Sequence, residues 1–247
     1  MTPAAATARV DGRGPTDLRP VKLQLGFLEW AEGSVLMEMG KTRVLAAASY
    51  EPKVPRFLVG SGKGWVSAEY AMLPRATEVR TPREVQKGRP SGRTQEIQRL
   101  IGRSLRAVTA LEKMGESTIW VDCDVLQADG GTRTASITAG YIALALAIRT
   151  LTDRDLLKED PLVDQVAAVS AGLVGEEALL DLCYEEDSRA EVDFNVVMTG
   201  SGQLVELQGT AEGLPFSRDQ LSQMVDLAEQ GIRELTTIQR EALAGGR

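Results

Sequence analysis

The chain of 247 residues contains no histidine. That absence excludes Ser-His-Asp and Cys-His triads, paired-histidine ribonuclease chemistry and the usual zinc sites. Acid–base work would fall to carboxylates, lysine or a metal, unless the substrate brings its own nucleophile. Cysteine is nearly absent too. Cys123 and Cys183 form no CxxC pair, which argues against a disulfide framework and fits a reducing, cytoplasmic setting. No uninterrupted apolar run approaches the ~18 residues of a membrane span. The first nine residues, MTPAAATAR, lack the apolar stretch of a signal peptide and read as a loose tail. No Pro/Gly-rich linker and no repeat divides the rest, so residues 10–247 are expected to form a single domain.

Charge is present but unevenly spread. The formal net charge is −7, which taken whole argues against a nucleic-acid partner. Between Arg75 and Arg106, however, nine basic residues (Arg75, Arg80, Arg83, Lys87, Arg89, Arg93, Arg99, Arg103, Arg106) face three acids, a local +6 that leaves −13 elsewhere. Between Glu176 and Asp193 eight acids accompany only Arg189. Such polarity suggests a basic surface for a polyanion and a separate acidic cluster able to hold a cation; the alternative is ordinary solvated faces.

Alternating or short apolar runs predict strands at 21–27, 34–39, 44–50, 65–70, 118–126, 165–174, 179–184, 191–198 and 203–207. Three stretches read as helices. In the first, Ile97, Leu100, Ile101, Leu105, Val108 and Leu111 recur at three- and four-residue steps. The second, 132–151, is apolar nearly all round and therefore buried. The third opens on SRDQ, a capping-box pattern, at Ser217 and runs to about Leu243. Runs of strands broken by single helices predict an α+β, βαβ-layered fold with mixed sheets packed against helices. The segment from Glu51 to Pro90 reads as long, arginine-rich surface loops around one short strand.

Three constellations carry chemistry. In QADGGTRTAS (127–136), Gly130 and Gly131 permit a tight turn into a helix whose first N–H groups favour an anion. Thr132 adds a hydroxyl and Arg133 a bidentate fork. A structural turn with an N-capping threonine remains open. In SGRTQE (91–96), Arg93 sits in a first helical turn, where it opposes the helix dipole unless an anion binds beside it; an ion pair with Glu96 or a neighbouring acid is the alternative. In LLDLCYEEDSRAEVDFNVVM (179–198), a hairpin turning at 188–190 would place Glu185, Asp187, Glu191, Asp193 and Asn195 on one face. A hard divalent cation would reverse the repulsion; a solvated acidic edge is the alternative. Together the three point to phosphate chemistry on a nucleic acid. Inorganic phosphate needs no general base, so the lack of histidine becomes consistent.

These residues resemble the ribonuclease PH family. The likeness runs through DGRGPTDLRP (11–20), EGSVL (32–36), GKGWVSAEYAMLPRAT (62–77), SGRTQEIQRLIGRSLRAV (91–108), VDCDVLQADGGTRTASIT (121–138), YEEDSRAEVDFNVVMTGSG (184–202) and VELQGTAEG (205–213). The resemblance implies a phosphorolytic 3′ exoribonuclease of transfer RNA precursors, a nucleotidyltransferase in which phosphate attacks the terminal linkage and releases a nucleoside diphosphate. It implies phosphate binding at Arg93, Gly131, Thr132 and Arg133. Catalytic, Mg²⁺- or Mn²⁺-binding aspartates fall on Asp187 and Asp193, and RNA contacts on Arg75, Arg80 and Arg83. It also implies a hexameric ring, a trimer of dimers. Departures are Cys183 in place of an acid or amide, Phe194 in place of methionine, and a short N-terminal extension. A non-catalytic RNA-binding ring subunit and a hydrolytic two-metal nuclease are the competing readings.

Overall fold

The computed structural model describes residues 9–175 and 177–245. Residues 1–8 of the expected tail, Glu176 of the acidic run and the side chain of Lys87 in the basic run lie outside the described residues. Arg9, expected in the loose tail, is 6% exposed and donates from Nε and Nη2 to the Glu186 carboxylate at 2.7 and 2.6 Å.

Strands β1 (Val21–Leu25), β2 (Gly33–Met39), β3 (Thr42–Glu51), β4 (Trp65–Met72) and β5 (Thr118–Gln127) form one sheet in the order β1-β2-β3-β5-β4. Period-two alternation sends Val44, Ala46 and Ala48 of β3, and Ile119, Val121, Cys123 and Val125 of β5, into the core. Strands β4 and β5 are parallel, joined through helix α1 (Gly92–Arg106), so this half contains the expected βαβ unit. Helix α2 (Thr132–Asp153) packs on β2, β3 and β5 and also reaches β6 (Val166–Val174) of the second sheet. By composition α2 could cross a membrane, with a mean hydropathy of 1.4, but 78% of that window is buried within the protein. It is the core helix. Its scattered Thr, Ser and Gly break up the apolar run without making a polar face.

The second sheet is antiparallel and comprises β6, β7 (Glu177–Leu180), β8 (Val192–Thr199) and β9 (Leu204–Ala211) in the order β7-β6-β8-β9. A short helix, α3 (Tyr184–Asp187), lies between β7 and β8, and the long helix α4 (Arg218–Gly245) covers β6, β7 and β8. Its start is the expected capping box: Ser217 Oγ accepts from the Gln220 N–H at 3.2 Å, and Gln220 Oε1 accepts from the Ser217 N–H at 2.7 Å. The fold is α+β, two sheets layered with helices, and the buried apolar residues of both sheets, α1, α2 and α4 form one continuous core apart from a small cluster of Leu179, Leu182 and Ala190.

One expectation is corrected. Residues 179–198 are not a hairpin, because β7 and β8 both pair with β6 and not with each other. Asp181 takes a left-handed conformation (φ 52°) as its carboxylate accepts from Arg19, and this ends β7. The chain then turns into α3, where Glu186 Oε2 accepts from the Cys183 N–H at 3.0 Å.

Candidate active site

The site forms where the entry to α2, the entry to α1, helix α3 and strand β8 meet around a cavity of about 310 Å³. Arg93, Gly131, Thr132, Arg133, Asp187 and Asp193 all line it, joined by Asn195 and Tyr184. Arg75, Arg80 and Arg83 do not. They are exposed on the loop between β4 and α1, which meets the cavity wall at Thr77.

The glycines make the α2 entry possible. Gly130 (φ 73°) and Gly131 (φ 61°) are both left-handed. A Cβ on Gly130 would lie 2.5 Å from the Leu182 carbonyl oxygen and 3.0 Å from the Tyr184 nitrogen. Only a residue without a side chain lets the loop touch the α3 segment, and this contact brings residues near 130 beside Asp187. The loop is fixed from behind. The Thr42 hydroxyl donates to the Gly130 carbonyl at 2.7 Å, and Arg19 donates to the Asp129 carbonyl while paired at 2.7 Å with the fully buried Asp181.

Gly131 is the N-cap of α2, and no side chain caps this terminus. At the other two long helices the caps are filled: Ser91 Oγ accepts from the Thr94 N–H at the start of α1, as Ser217 does for Gln220 in α4. The open amides of α2 therefore point partial positive charge into the cavity. Buried Tyr70 donates its hydroxyl proton to Thr132 Oγ1 at 3.0 Å, which leaves the Thr132 proton free to be given to an anion. The ion pair with Glu96 that was the alternative for Arg93 is made by Arg133 instead, at 3.5 Å. Arg93 is exposed at the rim.

Of the acidic run, three members are already committed. Asp181 pairs with Arg19, Glu186 with Arg9, and Glu185 with Arg189. Glu191 is exposed and outside the cavity, so the five-residue acidic face reduces to Asp187, Asp193 and Asn195. Burial pushes the Asp187 carboxyl above its ordinary value against the pull of Arg93 and Arg133. Asp193 is raised too, first by burial and then by the charge of Asp187. Asn195 Nδ2 lies 3.3–3.4 Å from both Asp193 oxygens. Two partly buried carboxylates that repel each other form a hard-oxygen donor pair suited to Mg²⁺ or Mn²⁺ when a substrate phosphate supplies further ligands.

The sequence reading missed Tyr70, Thr42, and the Arg19–Asp181 pair beneath the glycine loop. No local pattern links Arg19 to a residue so far along the chain; only the packing of the two halves brings them together.

Models of the 3′ exoribonuclease family match residues 17–149 (its domain 1) and 164–231 (its domain 2). Ribonuclease PH of Moorella thermoacetica is 59% identical over 235 residues, covering 95% of this chain and 94% of that protein. Ribonuclease PH of Bacillus cereus is 57% identical over 236 residues, covering 95% and 96%. Among solved structures, rice Rrp46 aligns with a TM-score of 0.79 at 21% identity over 96% of this chain and all of that one. An Archaeoglobus fulgidus exosome with RNA bound to the active site aligns with a TM-score of 0.77 at 24% identity, covering 93% and 91%. These two carry the fold. The sequence matches carry more: this chain belongs to the 3′ exoribonuclease family, within its ribonuclease PH group.

Proposed function

We propose that this protein is a phosphorolytic 3′-to-5′ exoribonuclease that trims the 3′ ends of transfer RNA precursors. The observation that carries the reading is the cavity, where an uncapped helix N-terminus, Thr132, Arg93 and Arg133 stand across from Asp187 and Asp193. Hydrogen phosphate rests on the α2 amides, the Thr132 hydroxyl and the two guanidinium groups. One of its oxygens attacks the phosphorus of the last linkage, and the bond from that phosphorus to the 3′ oxygen of the preceding nucleotide breaks. The terminal nucleotide leaves as its 5′-diphosphate, and the proton that hydrogen phosphate brought ends on the new 3′ hydroxyl of the shortened RNA. Bonds of one type are exchanged for another, so the step is reversible. Catalysis here is alignment and charge screening.

Asp187 and Asp193 would hold Mg²⁺ or Mn²⁺, which when bound offsets the repulsion between the incoming phosphate and the scissile one. Arg93 and Arg133 hold the phosphate, while burial raises both aspartate carboxyls and the charge of Asp187 adds to the rise at Asp193. Arg75, Arg80 and Arg83 hold the approaching RNA. We further propose a homohexameric ring, a trimer of dimers, in the cytoplasm; the two cysteines, both free and buried, fit a reducing compartment.

The test is product analysis of a 3′-extended RNA incubated with Mg²⁺, with and without phosphate. Nucleoside diphosphates formed only with phosphate are expected. Monophosphates without phosphate would mean hydrolysis, and no shortening would mean a non-catalytic RNA-binding subunit; either outcome overturns the proposal.

A further inference from the structure

The Arg133 side chain is only 17% exposed, and its direction is set from strand β9. Arg133 Nη1 donates to Gln208 Oε1 at 2.7 Å. The Gln208 amide is fixed in turn, because its Nε2 donates to Glu96 Oε1 at 2.9 Å and to Glu206 Oε1 at 3.0 Å. Glu206 is also paired with Arg103 of α1. In the ladder Gln208 stands opposite Asn195 of β8, the strand that carries Asp193. One amide therefore joins the cationic wall of the cavity to the strand of the acidic wall, and its flip state is fixed because its oxygen meets a cation while its nitrogen meets two anions.

We infer that Gln208 is a positioning residue for phosphate capture: a neutral amide that aims Arg133 into the cavity with its oxygen while its nitrogen holds the carboxylates of Glu96 and Glu206. The inference rests on the reading of Arg133 as a phosphate ligand. The neutrality has a purpose. A carboxylate at 208 would pair with the guanidinium directly and compete with the incoming anion, whereas the amide oxygen orients Arg133 and leaves its charge available. Glu96 already stands 3.5 Å from Arg133, so a further acid would neutralise it more than completely. The same amide satisfies Glu96 and Glu206 with its nitrogen, which leaves Glu96 with less reason to draw Arg133 away from the pocket.

The experiment measures phosphorolysis by the full-length protein as a function of phosphate and, separately, of RNA. It uses Gln208→Met, Gln208→Glu and, for reference, Arg133→Ala. Gln208→Met is expected to raise the KM for phosphate about tenfold, with kcat at saturating phosphate and the KM for RNA within about twofold of the parent, as loss of one hydrogen bond to a charged group would give. Gln208→Glu, which keeps the size of glutamine, is expected to raise the phosphate KM at least as far. A phosphate KM within twofold of the parent in both variants, while Arg133→Ala raises it, would overturn the positioning role. So would a kcat loss with unchanged phosphate KM. If Gln208→Met does not fold, Gln208→Glu decides by the same criteria. An unchanged phosphate KM in Arg133→Ala would instead overturn the phosphate reading, and this inference with it.

Discussion

At the scale of single residues, the cavity separates groups proposed to capture phosphate from groups that hold the structure around it. Arg93 is exposed at the rim, and Arg133 lies deeper, shared between Gln208 and Glu96. A charge-assisted contact is worth about 1.5–3 kcal/mol, so Arg93→Ala and Arg133→Ala are each expected to raise the phosphate KM roughly tenfold or more. Saturating phosphate should restore most of the rate, and phosphate titrations of the trimming reaction check it; no rescue would remove both from phosphate binding. Gly130 serves the structure instead. Gly130→Ala would force a Cβ against the Leu182 carbonyl in a left-handed backbone, whereas Gly12→Ala, at φ 79° with open space around it, meets only the conformational penalty. Gly130→Ala should therefore lower the melting temperature by about 4–8 °C, corresponding to about 2 kcal/mol, and clearly more than Gly12→Ala. Equal losses in the two variants would mean that the loop yields to the added methyl group.

At the scale of elements, α1, α4 and the strands were legible from their apolar patterns, and α2 from being apolar nearly all round: α1 keeps Ile97, Leu100, Ile101 and Leu105 buried as the stripe demands. The glycine loop and the two candidate aspartates were legible too, as local strings. What the sequence did not reveal was how those aspartates meet. Period two predicted a hairpin, but the buried Arg19–Asp181 pair takes the chain out of the sheet, and α3 delivers Asp187 to the cavity from a helix. That helix is anchored from far away by Arg9, whose guanidinium meets Glu186 one residue before Asp187. Arg9→Ala would leave a buried carboxylate with the Cys183 N–H at 3.0 Å and, among the described residues, no cation nearer than Arg13 at 3.6 Å, and should cost about 3 kcal/mol in denaturant unfolding. The double variant Arg9→Ala/Glu186→Gln should recover part of that loss; no recovery would mean that the ion pair is not what Arg9 provides. At the far end of the second sheet, burial alone would raise the Asp164 carboxyl, but hydrogen bonds from Ser201 and from the Gln165 N–H outweigh it and hold it below its ordinary value. The folded form thus prefers the ionised acid. Its contribution is complete above the unfolded carboxylate range, near pH 4, and is lost as pH falls through the lowered value. Asp164→Asn should cost about 1 kcal/mol at pH 7, and its melting temperature should converge on that of the parent in acid. A gap that stays constant with pH would remove the ionised form from the explanation.

At the scale of the whole molecule, the question is how a protein of net charge −7 attracts a polyanion. The charges are sorted by place. The acids of the 176–193 run that have partners are paired within the fold with Arg9, Arg19 and Arg189. Arg75, Arg80 and Arg83, by contrast, stand exposed on the loop whose Thr77 forms part of the cavity wall. That loop is not loose. Its Thr81 N–H donates to the Pro74 carbonyl at 2.8 Å, and the Ala76 carbonyl accepts from the Ala128 N–H at 2.8 Å, so the arginines ride on backbone tied to the glycine turn. On the proposed reading, a strand whose 3′ end lies in the cavity passes them. Each phosphate neutralised releases a counterion and steepens the fall of log affinity with log salt by about 0.7 for a single strand. Replacing all three arginines by alanine should therefore flatten that slope by about 2, weaken RNA binding most at low salt, and leave the phosphate KM unchanged, because none of them lines the phosphate wall. Arg240→Ala, on the outer helix α4, should alter none of these quantities. Fluorescence anisotropy of a labelled single-stranded RNA across a salt series separates the outcomes. An unchanged slope in the triple variant would mean that RNA reaches the cavity by another face, and the basic run would then be ordinary solvated surface.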